Sequence, residues 1–272
     1  MLSESGNNSL VDKQRRQHPA PFSININDIT IYLHEDWEAG IGGGLWSTGL
    51  AMAKYFQSNV SSIREDLRRI AKLREVEVGG RNNQEGTSAL ELGSGNGFLS
   101  VCLAAVAHDI LSEVVVIDTA EHLDMINKGF SANSDVISPD SADAKADSKM
   151  KTIIMEHKWG EFVDENHEVE EETDCSTQQL VTKGAIKFDF IFGTDVAYRE
   201  YLYSPLISSL KQFSHKHTVS LIGVTMIDTK SKFFNDLREA GFSYDRIADH
   251  CMAPEFRNAT FGIFAIQKRQ TF

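Results

Sequence analysis

Residues 88–101 read SALELGSGNGFLSV, and this stretch limits the choice of fold more than any other part of the chain. Small and apolar residues lead to an acid, Glu91, then glycine stands at 93, 95 and 97, and a new apolar run begins at Phe98. The pattern is a strand, a tight turn and a helix start. Glycines let such a turn take backbone conformations closed to other residues, and the turn presents N–H groups and a helix N-terminus to a ligand. A strand that feeds straight into a helix is also the repeating unit of a parallel sheet.

That unit recurs along the chain. Strands are predicted near 88–92, 113–118 (EVVVID), 151–156 (KTIIME), 188–193 (FDFIFG), 218–225 (TVSLIGVT), 244–252 and 261–267 (FGIFAIQ), with helices near 98–108, 120–131, 200–213 and 230–240. Apolar strands separated by helices make a largely parallel sheet covered on both faces. The last two strands are separated only by 251-CMAPEFRNAT-260, which leaves no room for a helix, so they must form an antiparallel hairpin. The expected fold is α/β and Rossmann-like: a seven-stranded, mostly parallel sheet with helices on both faces and a C-terminal antiparallel hairpin.

Residues 1–21 are polar and aperiodic, the composition of a disordered tail, and residues 22–272 read as one domain. At its start 23-SININDITIYLHED-36 places Ile24 and Ile26 before an Asn-Asp turn and Ile29, Ile31 and Leu33 after it, which predicts one or two extended segments. In 37-WEAGIGGGLWSTGLAMAKYF-56 the glycines delay a helix until Ser47, its predicted N-cap, after which Leu50, Ala53 and Phe56 recur at helical spacing. A more polar helix follows near 60–74. Two polar stretches, 134–150 and 161–182, look unable to pack a core and read as surface insertions, the second strongly acidic.

With 272 residues and 41% hydrophobic content the chain can bury one sizeable core. A formal charge of −12 argues against a nucleic-acid backbone as partner, since phosphate binding requires a basic surface. Cys102, Cys175 and Cys251 are odd in number and far apart, which suits reduced thiols in the cytoplasm or nucleus better than a disulfide framework. No segment nears the roughly 18 apolar residues of a membrane span. The nine histidines show no metal-site spacing; His157 alone falls near the expected ligand crevice, where a partly buried or solvent-facing ring accounts for it. Without a heptad run the chain is expected to be a monomer.

A nicotinamide site reads G-x-G-x-x-G/A, whereas this turn reads G-x-G-x-G with Phe98 and Leu99 in the following positions. That spacing, the terminal hairpin and the acid immediately before the turn favour S-adenosylmethionine, with a nicotinamide dehydrogenase as the lesser reading. Glu91, Gly93, Ser94, Gly95, Asn96 and Gly97 are the resulting cofactor-binding candidates. Asp118 ends the next strand, where a carboxylate can accept from the ribose hydroxyls of either cofactor, or cap the following helix.

Three further segments, 42-GGGLWSTGLAMAKYF-56, 158-KWG-160 and 195-DVAY-198, stand in the order of similar segments in the seven-β-strand protein-lysine methyltransferases of the family-16 type. Over about residues 37–268, insertions apart, the chain resembles that family. It departs from it in the GSGNG loop, where the family often carries Cys or Ala and Thr, and in a longer, more acidic insert after the third core strand. The resemblance implies S-adenosylmethionine as cofactor, Trp46 in the pocket, Trp159 beside the adenine, and Gly160 turning the chain close to it. It also implies catalytic positions at Asp195 and Tyr198, which follow a strand's carboxyl end, where open α/β sheets hold their ligands. Methyl transfer requires a neutral amine held at the right distance and angle. Asp195 would orient that amine or help its ammonium lose a proton, and Tyr198 would wall the pocket. Local alternatives stay open: core packing for Trp46, helix capping for Asp195, and a C-cap role for Asn133, which resembles a recurring family Asn. The implied partner is a protein; the acidic charge, including the insertion from Glu161 to Asp174, suggests one that is basic near its target lysine. Another protein side chain, a small-molecule acceptor, or a cofactor-binding descendant without chemistry are the alternatives.

Overall fold

The structure, a computed structural model, describes residues 23–26, 28–78, 86–137, 150–161 and 187–269. Its strands are β1 (Ser23–Ile26), β2 (Ile29–Tyr32), β3 (Thr87–Leu92), β4 (Leu111–Asp118), β5 (Lys151–Glu156), β6 (Phe188–Thr194), β7 (Ser214–Thr225), β8 (Phe242–Arg246) and β9 (Phe261–Lys268). The helices are α1 (Ser47–Ser58), α2 (Val60–Val78), α3 (Phe98–Ala107), α4 (Ala120–Ala132), α5 (Ser134–Ile137), α6 (Tyr203–Phe213) and α7 (Ser231–Glu239).

Seven strands form one sheet in the order β5-β4-β3-β6-β7-β9-β8. β3 to β7 pair in parallel, and β9 lies antiparallel between β7 and β8. The expected hairpin is therefore present, but only β9 is reversed; β8 runs with the parallel strands. The strand expected at 244–252 stops at Arg246, and 3-10 turns at Asp249–Cys251 and Pro254–Phe256 follow, the second starting on a proline that cannot donate to a ladder. β7 begins at Ser214, earlier than expected, because a register shift lets the segment after α6 pair with Phe188.

Side chains alternate between two cores, as the two-residue repeat of a strand requires. Ala89, Val114, Val116, Phe190 and Phe192 face one core, while Leu90, Leu92, Val115, Ile117 and Ile191 face the other. α6 and α7 cover the second through Leu206, Leu210, Phe233 and Leu237. The first is deeper. α3, buried at all ten positions, is enclosed by the sheet, by α1 beside it on the same face and by the β1–β2 hairpin, which explains why FLSVCLAAVA has no polar face.

Ser47 does not cap α1 but opens it; Trp46 holds the N-cap position and makes no side-chain cap bond. Asn133 is the C-cap of α4, and its side chain pairs with Tyr32 in both directions (Nδ2 to Tyr32 O and Tyr32 N to Oδ1, both 2.8 Å). Its work is to tie the hairpin to α4. The stretch 134–150 is anchored at both ends, contrary to expectation: Val136, Ile137 and Met150 are buried in the first core, and these few apolar residues suffice despite the polar average. Its interior, the tail, Cys175 and all but Glu161 of the acidic stretch lie outside the described residues. No described helix is long and apolar enough to cross a membrane.

Candidate active site

The carboxyl ends of β3, β4, β6 and β7 converge on a cavity of about 740 Å³, closed on one side by residues 40–46. Volumes of this size suit small-molecule ligands.

The glycine turn forms one wall. Gly93 and Gly95 have φ of 62° and 58°, in the left-handed region. A Cβ on Gly93 would stand 2.5 Å from the Trp159 ring, and one on Gly95 would stand 2.6 Å from Gly42 O, so space as well as backbone conformation demands glycine. Gly93 N and Ser94 N donate to Ile117 O, and Gly95 N donates to Asp118 Oδ2 (2.7 Å). Asn96 Oδ1 accepts from Phe98 N at the start of α3 (3.1 Å). Ser94 Oγ and Asn96 Nδ2 are buried and have no partner among the described residues. A turn with two unanswered polar atoms beside a cavity fits a polar ligand and is expensive without one. Gly97 caps α3 from behind the turn, against Ile126 and Phe130, away from the cavity wall.

Glu91 is not on the wall either. Its position shares the parity of Ala89, so the strand's alternation points it into the first core, where its carboxyl accepts from Ser100 N (3.1 Å) and Ser100 Oγ. Burial pushes its pKa up to about 8. At neutral pH it is a neutral acid that fastens α3 to β3, so that of the cofactor-binding candidates read from the turn it is one whose side chain stands off the cavity wall.

Asp118 does reach the wall. Oδ1 accepts from Thr119 N (2.7 Å) and from His122 Nδ1 (2.6 Å), and Oδ2 accepts from Gly95 N, which leaves Oδ2 room for a further donor. Thr119, not Asp118, is the N-cap of α4. His122 was not singled out from the sequence, although its place four residues after Asp118 on a helix start is a readable sign of contact.

The chain's three tryptophans gather here. Trp46 is 45% exposed, on the cavity wall rather than in a core; its Nε1 donates to Ile41 O (2.9 Å), and its ring stands edge-on to Trp37. Trp159 lines the wall beneath Gly93. Gly160, with φ of 81°, turns behind the wall and donates its N–H to Ser209 Oγ (3.1 Å). His157 packs edge-on to Phe213, and burial pushes its pKa down, so it is a neutral packed ring. Exposed Ile41, Trp46 and Tyr201 form an apolar rim on this lining, with exposed Trp37 beside Trp46, surface of the kind that marks a binding site.

Asp195 follows β6 with φ of 56° and donates its N–H to Gly223 O (2.9 Å). It caps no helix; the next turn, Glu200–Leu202, has Arg199 as its N-cap. Oδ1 accepts from Thr225 Oγ1 (3.1 Å), while Oδ2 is buried with no partner among the described residues. Desolvation pushes the carboxyl's pKa up to about 6, against the Thr48 and Thr225 hydroxyls, which hold it down, and with Asp228 adding to the rise. Tyr198 lies on the same wall, its hydroxyl's pKa raised by burial. Thr48 and Thr225 went unnoticed in the sequence, although Thr225 ends a strand on the ligand side of the sheet. No group of three His, Cys, Asp or Glu among the described residues could hold a metal.

The chain is similar to several known proteins. The chain is 16% identical to the T. thermophilus 16S rRNA N2 G1207 methyltransferase RsmC in complex with AdoMet and guanosine (TM-score 0.48, covering 92% of this chain and 50% of that one). It is 14% identical to a ribosomal protein L11 methylase from Lactobacillus delbrueckii subsp. bulgaricus (TM-score 0.44, 75% and 79%). In sequence it is 20% identical over 231 residues to the protein N-lysine methyltransferase METTL21A of Mus musculus, covering 85% of this chain and 82% of that protein. The profile of the lysine methyltransferase family matches residues 25–240, five of the seven strands of the sheet and the whole cavity wall, and the chain belongs to that family.

Proposed function

We propose that this methyltransferase acts on a lysine side chain of a protein. S-adenosylmethionine is the cofactor, and when bound it supplies a methyl group activated on a positively charged sulfur. The observation that carries the reading is Asp195: a buried carboxylate oxygen without a partner among the described residues, on the same cavity wall as a glycine turn with polar atoms equally unanswered there.

The turn Gly93–Gly95 and the free capacity of Asp118 Oδ2 would hold the cofactor's polar groups, and Trp159 and Trp46 would flank it. Asp195 Oδ2 would accept from the acceptor's ammonium, and a pKa near 6 makes it a better proton acceptor than an ordinary aspartate. Tyr198 would narrow the space beside it and keep water away. An apolar rim supports a protein surface rather than a small polar metabolite as acceptor. The formal charge of −12 supports a partner that is basic near its target.

Transfer of a labelled methyl group from S-adenosylmethionine into a whole-cell protein extract tests this. Wild type should label a discrete protein that yields methyl-lysine on hydrolysis, and Asp195→Ala should lower the rate about 10²–10³-fold, the range for loss of one preorganised polar group. Tight cofactor binding by calorimetry with no label in protein would move the acceptor to a small molecule.

A further inference from the structure

We infer that Thr225 and Thr48 are positioning residues for the methyl acceptor: the Thr225 hydroxyl, backed by that of Thr48, holds Oδ1 of Asp195, so that Oδ2 is the oxygen left for the acceptor amine. The inference rests on the function proposed above.

Three elements meet at this carboxylate. The backbone of Asp195 is fixed to β7 by its N–H bond to Gly223 O, and two residues along the same strand Thr225 Oγ1 donates to Oδ1. A hydroxyl has one proton to give. Since Thr225 gives its own to Asp195, the 3.4 Å contact between Thr225 Oγ1 and Thr48 Oγ1 has Thr48 as donor. Thr48 lies in the first turn of α1, 1% exposed, and its methyl fills the space over Gly223, where a Cβ would come within 2.6 Å of it. With the methyl seated there, the hydroxyl is turned toward Thr225. A hydroxyl relay from α1 through β7 thus ends on one oxygen of the carboxylate, and its other oxygen has no partner among the described residues.

Free rotation of a carboxylate would offer the amine two equivalent oxygens in many directions. Pinning one of them fixes the direction from which the amine can be held, which is what an in-line displacement requires. The hydroxyls also stabilise the charged form of a carboxylate that burial disfavours. Asp228, beyond β7, is the charged group that bears on it and acts in the opposite sense, whereas α1 and β7 present hydroxyls.

The test uses the full chain carrying Thr225→Val, Thr225→Ser or Thr48→Val. Two readouts are taken: the pH profile of labelled methyl transfer at saturating S-adenosylmethionine, and the ¹³C NMR titration of the Asp195 carboxyl, assigned by its loss in Asp195→Asn. In wild type the titration and the acidic limb should both fall near pH 6. Removing a donor to the charged form raises the pKa, so Thr225→Val should move both to higher pH and lower the plateau rate about 10-fold. Thr225→Ser should restore them, and Thr48→Val should move them less. Cofactor affinity by calorimetry should be unchanged throughout. An unmoved titration in Thr225→Val that still binds cofactor would overturn the inference, as would failure of Thr225→Ser to restore it. The NMR titration requires no turnover, so a wild type that labels no lysine overturns the proposed acceptor separately, while the titration still judges the relay.

Discussion

β6 and the turn after it carry an aspartate at each end, and the two are treated in opposite ways. Asp189, at the amino end, is fully buried, with Arg74 Nη1 at 2.6 Å, Ser88 N at 2.9 Å and Ser88 Oγ at 3.2 Å on one oxygen and His215 Nε2 at 3.1 Å on the other. Asp195, past the carboxyl end, has the Thr225 hydroxyl on one oxygen, with that of Thr48 behind it, and nothing described on the other. Burial of a carboxylate is tolerable when a cation and hydrogen bonds offset it, and expensive otherwise. Asp189 is therefore satisfied by the fold alone. Asp195 keeps one oxygen for a partner from outside, a mark of sites that do chemistry.

The contrast can be broken by substitution, and the largest effect is expected at Asp189. Asp189→Ala leaves Arg74 and His215 without their shared carboxylate and should destabilise the protein by about 3–5 kcal/mol in urea unfolding, the range for removing one partner of a buried pair. An unchanged unfolding midpoint would mean that the cluster is not structural.

Asp195→Asn should do the reverse. The folded pKa of Asp195, about 6, lies above the ordinary value of 3.8, so the folded state favours the protonated form. The associated stability is fully present below the ordinary value and is lost as pH rises through about 6. At pH 7.5 the charge should therefore cost about 1–3 kcal/mol, and Asp195→Asn should melt higher than wild type there but not at pH 4, while losing methyl transfer. Equal melting at pH 7.5 would show that the charge is compensated.

The smallest effect sharpens the rule. Glu91 is buried, and below its ordinary value of 4.5 it is neutral in the folded and the unfolded chain alike, so Glu91→Gln should change stability by less than about 1 kcal/mol at pH 4. Wild type should lose stability relative to the amide variant as pH rises from about 4.5 through about 8 and level off above that, a divergence that thermal melts at pH 4, pH 7 and pH 9 would show.

Much of this was legible in the sequence, and the particular residues show why. The GSGNG turn, Asp118, Trp159, Asp195 and Tyr198 all follow strands whose apolar runs can be read directly, and the end of a strand is enough to place a residue at the ligand edge of such a sheet. Glu91 also stood beside the turn, but only the parity of β3, fixed by which face meets α3, decided that it points into a core. Trp46 had the spacing of a core aromatic, yet at the N-cap of α1 it is directed to the cavity mouth.

What the sequence determined by itself was local: alternation of strand and helix, the glycine turn, and the order of the site segments. Those depend on backbone freedom and on hydrophobic periodicity, both properties of neighbouring residues. The tertiary structure decided what touches what: the single reversed strand β9, the tie between Asn133 and Tyr32, and the relay from Thr48 to Thr225 across 177 positions of chain. A hydroxyl in isolation has no preferred partner. Only the packing of α1 against β7 brings it to the one carboxylate oxygen that it serves.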